Sequence, residues 1–355
     1  MVSLQDISEY RKNKICVSKL KYISTENMLQ NFAGIIPYTS EEDISGVEFC
    51  IGDTLLANIR PYLRKAWLAT HDGACSTDVL ALCPSDITPA FLNNIIEQDR
   101  FIDYVMSGVK GSKMPRGDKA HILAYETAVP SLLEQEKINS FMQLLHQRIA
   151  KIQMEIELLK KYKRGVTEAI FTKDLRFTTK GVPYPQWDKK YVGDICKIQT
   201  GKSNTQDETS QGSYPFYVRS PIVRKSNRYL FDCEAVLTVG DGVGTGKVFH
   251  YVTGKFDLHQ RVYAMTDFKI VSGKYFYYYF SHFFYDRVMR MTAKTSVDSV
   301  RYEMIDKMTI QIPCHEEQQQ IVSFLDCIEN SVIEAEKTLN LLEKLKSGCL
   351  QQLFI

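Results

Sequence analysis

The sequence predicts an α+β protein: two globular mixed α/β domains separated by two long, antiparallel, coiled-coil-like helices, arranged as a pseudo-two-fold tandem repeat. Three observations lead there. The chain matches itself without a gap when shifted by 183 residues. Both copies of the matching stretch carry apolar residues in steps of three and four. The segments between them show short apolar or alternating runs broken by Gly- and Pro-bearing turns.

The repeat comes first, because a missed repeat misreads the fold. Under the shift Pro130 falls on Pro313, Glu134 on Glu317, Gln135 on Gln318, Ile138 on Ile321 and Phe141 on Phe324. Further along, Leu158 and Leu159 fall on Leu341 and Leu342, Lys163 on Lys346, Gly165 on Gly348 and Phe171 on Phe354. The expected packing seam is Ile138, Phe141, Leu145, Ile149, Ile152, Ile156 and Leu159 in the first copy. In the second it is Ile321, Phe324, Ile328, Val332, Leu339 and Leu342. A helix of about 40 residues is about 60 Å long. Alone it would expose this seam to water, so the economical arrangement packs the two copies on each other.

The globular segments correspond as well. "GDTLLANIRPYLRKAWLA" and "CEAVLTVGDGVGTGKVFHY" are apolar runs interrupted by polar turns, and "STDVLAL" and "HQRVYAM" follow as short alternating runs. The chain therefore divides into a first domain over 1–129, a helix over 130–172, a second domain over 173–312 and a helix over 313–355.

Composition narrows the class. The chain has 355 residues and a net charge of +2, with no apolar run long enough for a membrane span and no apolar core at its start. A cytoplasmic protein without a membrane partner is expected. Nine cysteines without a CxxC pair and seven histidines without ligand spacing predict no metal site and reduced thiols. Charge is uneven: residues 1–129 hold 13 basic against 16 acidic side chains, whereas residues 173–312 hold 21 against 14. A role with nucleic acid must therefore rest on local clusters.

Catalytic motifs are imitated but not met. "GDGVGTGKV" has Asp241 where a phosphate loop needs Gly, and Val248 where it needs Ser or Thr. A Gly-rich hairpin that lets backbone approach something closely fits better. "HEEQQ" carries Gln319 where a zinc-protease helix needs its second His, and neither a GxSxG elbow nor an Asn/Asp-Pro-Pro-aromatic stretch occurs. The chain is expected to be non-catalytic and to bind no cofactor.

Basic, aromatic-flanked polar loops remain. The first domain offers Asn58, Arg60, Tyr62, Arg64 and Lys65 around a Pro-stiffened turn, then Lys113, Arg116 and Lys119 in "KGSKMPRGDK". The second offers Lys202, Asn204, Arg219, Arg224, Lys225, Arg228 and Lys247. Lys and Arg neutralise phosphates, while Arg, Asn and Gln read base edges in the major groove. Any one of these side chains taken alone reads equally well as solvated surface. Their clustering in both halves favours double-stranded DNA.

With "VPSLLEQEKINSFMQLLHQRI", "LLEKLKSGCLQQLF", "GSKMPRGDK", "YISTENM" and "NIRPYLRKAWLA" in this order, nearly the whole chain resembles the specificity subunit of type I restriction–modification systems. The resemblance implies two target-recognition domains, each reading one half of a split, asymmetric DNA site in the major groove. It implies helices that act as spacers, fix the gap and dock two modification (methyltransferase) subunits, with two restriction subunits completing the complex. S-adenosylmethionine and ATP would belong to those partner subunits, whose methylation target is adenine N6. The first domain departs from this picture in being net negative. The rival readings are a methyltransferase, for which motifs and room are missing, and a non-catalytic coiled-coil adaptor that binds proteins.

Overall fold

The computed structural model describes residues 1–111, 113–242, 244–291 and 299–354. It divides into two compact units: residues 1–155 with 335–355, and residues 156–334. Two helices dominate by length, Leu132–Thr172 and His315–Leu353, and each contributes one half to each unit. The architecture is α+β, and among the described residues no helix is long and apolar enough to cross a membrane.

In the first unit, one four-stranded antiparallel sheet runs in the order Ser8–Tyr10, Val79–Pro84, Thr54–Ala57, Ala66–Leu68. The second sheet is ordered Lys14–Ser18, Asp43–Phe49, Gly73–Cys75, Tyr22–Ile23, with its last pair parallel. In the second unit the first sheet has the same plan: Lys197–Thr200, Val262–Thr266, Ala235–Val239, Phe249–Val252. Its other sheet runs Arg224–Ser226, Tyr214–Tyr217, Lys255–Leu258, Phe231–Asp232. Each second sheet holds a three-strand core with one parallel pair. The fourth strand joins the antiparallel edge in the first unit and the parallel edge in the second. The duplicated frame is therefore shared, and the difference lies at a sheet edge.

Within each unit the long helices pair antiparallel. In the first, Ile138 and Met142 share a core with Leu350 and Phe354. In the second, Ile170 and Phe171 share one with Ile321 and Leu325. The buried positions keep strict steps of four and three: Ile138, Met142, Leu145, Ile152 and Ile156 in one helix, Ile321, Leu325, Ile328, Val332 and Ala335 in the other. Ile149, Leu159, Leu339 and Leu342 continue these rows half-buried. Phe141, expected on the seam, is 46% exposed, and Met142 takes its place. The physical reason is register: a heptad seam from Ile138 reaches its next position four residues on, and Phe141 lies about 100° off that line. Phe324 is half-buried for the same reason, and it packs edge-on against Phe177.

One buried glutamine starts each helix. Gln135 accepts from the Thr88 backbone N–H (2.9 Å) and donates to the Pro130 carbonyl (3.0 Å). Gln318 does the same with Ser272 (2.9 Å) and Pro313 (3.0 Å). Each ties the first turn of a long helix to the N-terminus of the helix its own domain contributes.

Candidate nucleic-acid interface

In the first unit the Pro-stiffened turn is built from Arg60 and Arg64, both in left-handed backbone conformation, on either side of the short 3-10 helix Pro61–Leu63. The Arg60 N–H donates to the Pro115 carbonyl (2.8 Å) and Gly117 N to the Asn58 carbonyl (3.0 Å), so both expected basic loops meet here. The fit at Gly117 is close: a Cβ there would lie 2.9 Å from Asn58 Oδ1, which would have to shift.

The expected contact residues separate by environment. Arg60, Tyr62, Lys113, Arg116 and Lys119 are exposed. Arg116 pairs with Asp78 (3.1 Å), and Arg64, half-buried, pairs with Asp99 (2.7 Å). Two of these residues also tie the fold together. Asn58 is 9% exposed and knits the corner instead of facing solvent. Lys65, half-buried, donates one ammonium hydrogen to the Thr25 carbonyl at 2.7 Å. Asp118 caps the helix Lys119–Leu123 and pairs with Lys110; these donors hold its carboxyl down at about 2.

In the second unit Lys202, Arg219, Arg224, Lys225, Arg228 and Lys247 are exposed and Asn204 half-buried. Arg228 is held by Asp207 (3.0 Å) and donates to Ser203 Oγ (2.9 Å). Ser203 in turn donates to Asp257, which is 1% exposed. Arg224 pairs with Glu208 (3.3 Å), and Lys247 lies over the Tyr285 ring (4.9 Å). The Gly-rich stretch forms the hairpin between Ala235–Val239 and Phe249–Val252, and it allows the close approach the sequence pointed to. A Cβ on Gly240 would lie 2.8 Å from the Arg261 carbonyl, and one on Gly244 3.1 Å from that of Arg219.

Sequence reasoning missed Gln260 and Arg261, which stand exposed beside these residues. They lie in "HQRVYAM", read only as a strand. Two adjacent polar residues ahead of its alternating part were the available signal.

Residues 184–346 match the family model of the type I restriction modification DNA specificity domain. The type I restriction enzyme EcoDI specificity subunit of Escherichia coli is 25% identical over 168 residues, 46% of this chain and 37% of that protein. The MjaVIII specificity subunit of Methanocaldococcus jannaschii is 22% identical over 273 residues, 68% of this chain and 64% of that one. The match thus spans less than two thirds of either relative. In fold, the chain resembles the type I S subunit of M. genitalium with TM-score 0.69 at 12% identity, covering 100% of this chain and 95% of that one. It also resembles a chain from a type I restriction–modification assembly, with TM-score 0.57 at 17% identity over 99% of this chain and 96% of that one.

Proposed function

We propose that this chain, which belongs with the specificity subunits of type I restriction–modification systems, reads a bipartite, asymmetric DNA site with one half-site for each unit. The observation that carries the reading is the duplicated sheet frame, beside which exposed arginines stand in each unit, Arg60 and Arg116 in the first and Arg219 and Arg261 in the second. Two readers on a rod bind one face of a duplex, so half-site centres should lie about one helical turn apart, about 34 Å. The paired helices act as the spacer, and their exposed apolar residues, Leu144, Leu158 and Leu341 among them, are the surface on which methyltransferase subunits dock. Restriction subunits would complete the complex. The chain itself recognises DNA and takes no cofactor; S-adenosylmethionine and ATP serve the partners, in the cytoplasm.

The test is genomic. Methylated adenines are mapped in cells with and without the gene. Loss of methylation at a split motif on deletion is the expected result. An unchanged methylation map, together with salt-insensitive or absent DNA binding by the purified protein, would favour the protein-binding adaptor instead.

A further inference from the structure

Three backbone segments of the second unit cross at one corner: 201–204, 258–262 and 240–241. Gln260 N donates to the Ser203 carbonyl (2.9 Å), Gly240 N to that of Arg261 (2.8 Å) and Val262 N to that of His259 (2.9 Å). A Cβ on Gly201 would lie 1.9 Å from the Leu258 carbonyl, so only glycine permits this crossing. The backbone under Gln260 and Arg261 is thereby fixed, while both side chains are exposed.

Their side chains are also held. The Gln260 amide donates to Asn204 Oδ1. Asp241 takes Arg219 on one carboxylate oxygen (3.4 Å) and Arg261 on the other (3.6 Å). His259, 4% exposed, accepts from the Arg261 N–H through Nδ1 (3.0 Å), which requires the neutral ring. Burial keeps it neutral, lowering its pKa together with nearby Arg219 and Arg261 against the opposing pull of Asp241. A guanidinium has five donors, and Asp241 engages only one nitrogen of each. What remains is a preorganised row of amide and guanidinium donors on a rigid base.

The other unit supplies an independent observation. The bonds from Asn58 N to the Asp78 carbonyl and from Gly240 N to the Arg261 carbonyl place Asp78 where the second unit has Arg261, and the bridges Ile59–Arg116 and Asp241–Ser299 place Ile59 where it has Asp241. There the acid stands at the strand end and its partner Arg116 on the neighbouring segment (3.1 Å), so the pair is kept with its members exchanged. One scaffold that presents different side chains at the same corner is what two different half-sequences call for.

We propose that Gln260 and Arg261 are base-reading residues of the second unit, Arg261 for a guanine and Gln260 for an adenine, with Asp241 as their positioning residue. The chemistry is that of Arg on guanine O6/N7 and Gln on adenine N6/N7. The inference rests on the reading of the chain as a DNA-specificity subunit.

The full chain, tagged and recovered from its own cells with whatever subunits accompany it, is challenged with a randomised duplex library, and the bound DNA is sequenced. Arg261→Ala and Gln260→Ala should each lower base preference about tenfold or more at one position of one half-site, leaving the other half as an internal control of folding. Lys202→Ala should weaken binding evenly across sequences. Asp241→Asn should relax the Arg261 position, and Asp241→Glu should restore it. If the unaltered chain selects a split sequence and Arg261→Ala and Gln260→Ala leave it unchanged, or blur both halves equally, this inference falls alone. If the unaltered chain selects nothing, the reading beneath it falls as well.

Discussion

The two units meet the same helix pair with opposite chemistry at one equivalent position. In the first, Glu97 lies in the break between helices Pro89–Ile96 and Asp99–Ser107 and is 7% exposed. In the second, the helix Gly273–Met291 is continuous, and the side chain it brings to the long helices here is Tyr278, whose ring lies 5.5 Å from Lys163 Nζ. The long helices explain why. In the second unit they offer Lys163 and Glu329, which pair with each other, so the domain brings the uncharged ring of Tyr278. The equivalent pair in the first unit is Lys346 and His146, with no acid between them. The domain brings it instead: Glu97 lies 2.7 Å from Lys346 and 3.5 Å from His146. The acid that meets the lysine comes from the half-buried helix residue Glu329 in one unit and from the buried domain residue Glu97 in the other.

The largest expected effect breaks this logic directly. His146→Glu would pair with Lys346 and strand Glu97, costing about 3–5 kcal/mol. Adding Glu97→Gln, which removes the stranded charge, should recover a large part of that loss, a strongly non-additive pair. Urea unfolding reads both, because one tryptophan reports on each unit: Trp67 in the first and Trp187 in the second. Additive losses would refute the exchange.

A comparable loss tests the helix ends. Phe171 is buried against Tyr279 (5.0 Å) and Tyr275 (5.8 Å), whereas Phe354 stacks on Phe91 (4.9 Å). Phe171→Ala should cost about 4 kcal/mol, detected at Trp187, and Phe354→Ala about 3 kcal/mol, detected at Trp67.

Acid should separate the units next. Burial alone would raise the Glu97 pKa, but His146 and Lys346 outweigh it and hold it at about 2. A depressed carboxylate stabilises above its unfolded pKa and loses that contribution as pH falls through the folded value. The first unit should therefore lose about 3 kcal/mol between roughly pH 5 and pH 2 through this group, and Glu97→Gln should flatten that slope. Equal acid slopes in protein and variant would count against it.

The smallest contrast sharpens the seam. Met142→Ala should cost about 2–3 kcal/mol, whereas Phe141→Ala, one residue away and exposed, should stay within about 0.5 kcal/mol. Thermal melts of the two variants decide it.

Much of the frame was legible. The 183-residue register predicted both long helices, because apolar periodicity and repetition are one-dimensional signals. It also matched Gln135 with Gln318 without showing that each clamps a helix start, since their partners, Thr88 and Ser272, lie 47 and 46 residues away. Phe141 was misplaced because a step of three and a step of four both fit locally, and only the continued heptad chooses between them. The candidate interface was read less fully. Basic residues were visible, but Lys65 is tied to a carbonyl and Asn58 is buried, while Arg261 becomes notable only when folding brings Asp241 beside it.

The central claim is that each unit reads its own half and the paired helices set the gap. Its most direct test inserts one heptad after Lys151 and a matching heptad after Leu341, which preserves the seam, and then maps the methylated or bound sequence. The account predicts the same two half-sequences with a wider gap between them. Altered half-sequences at an unchanged gap would contradict it.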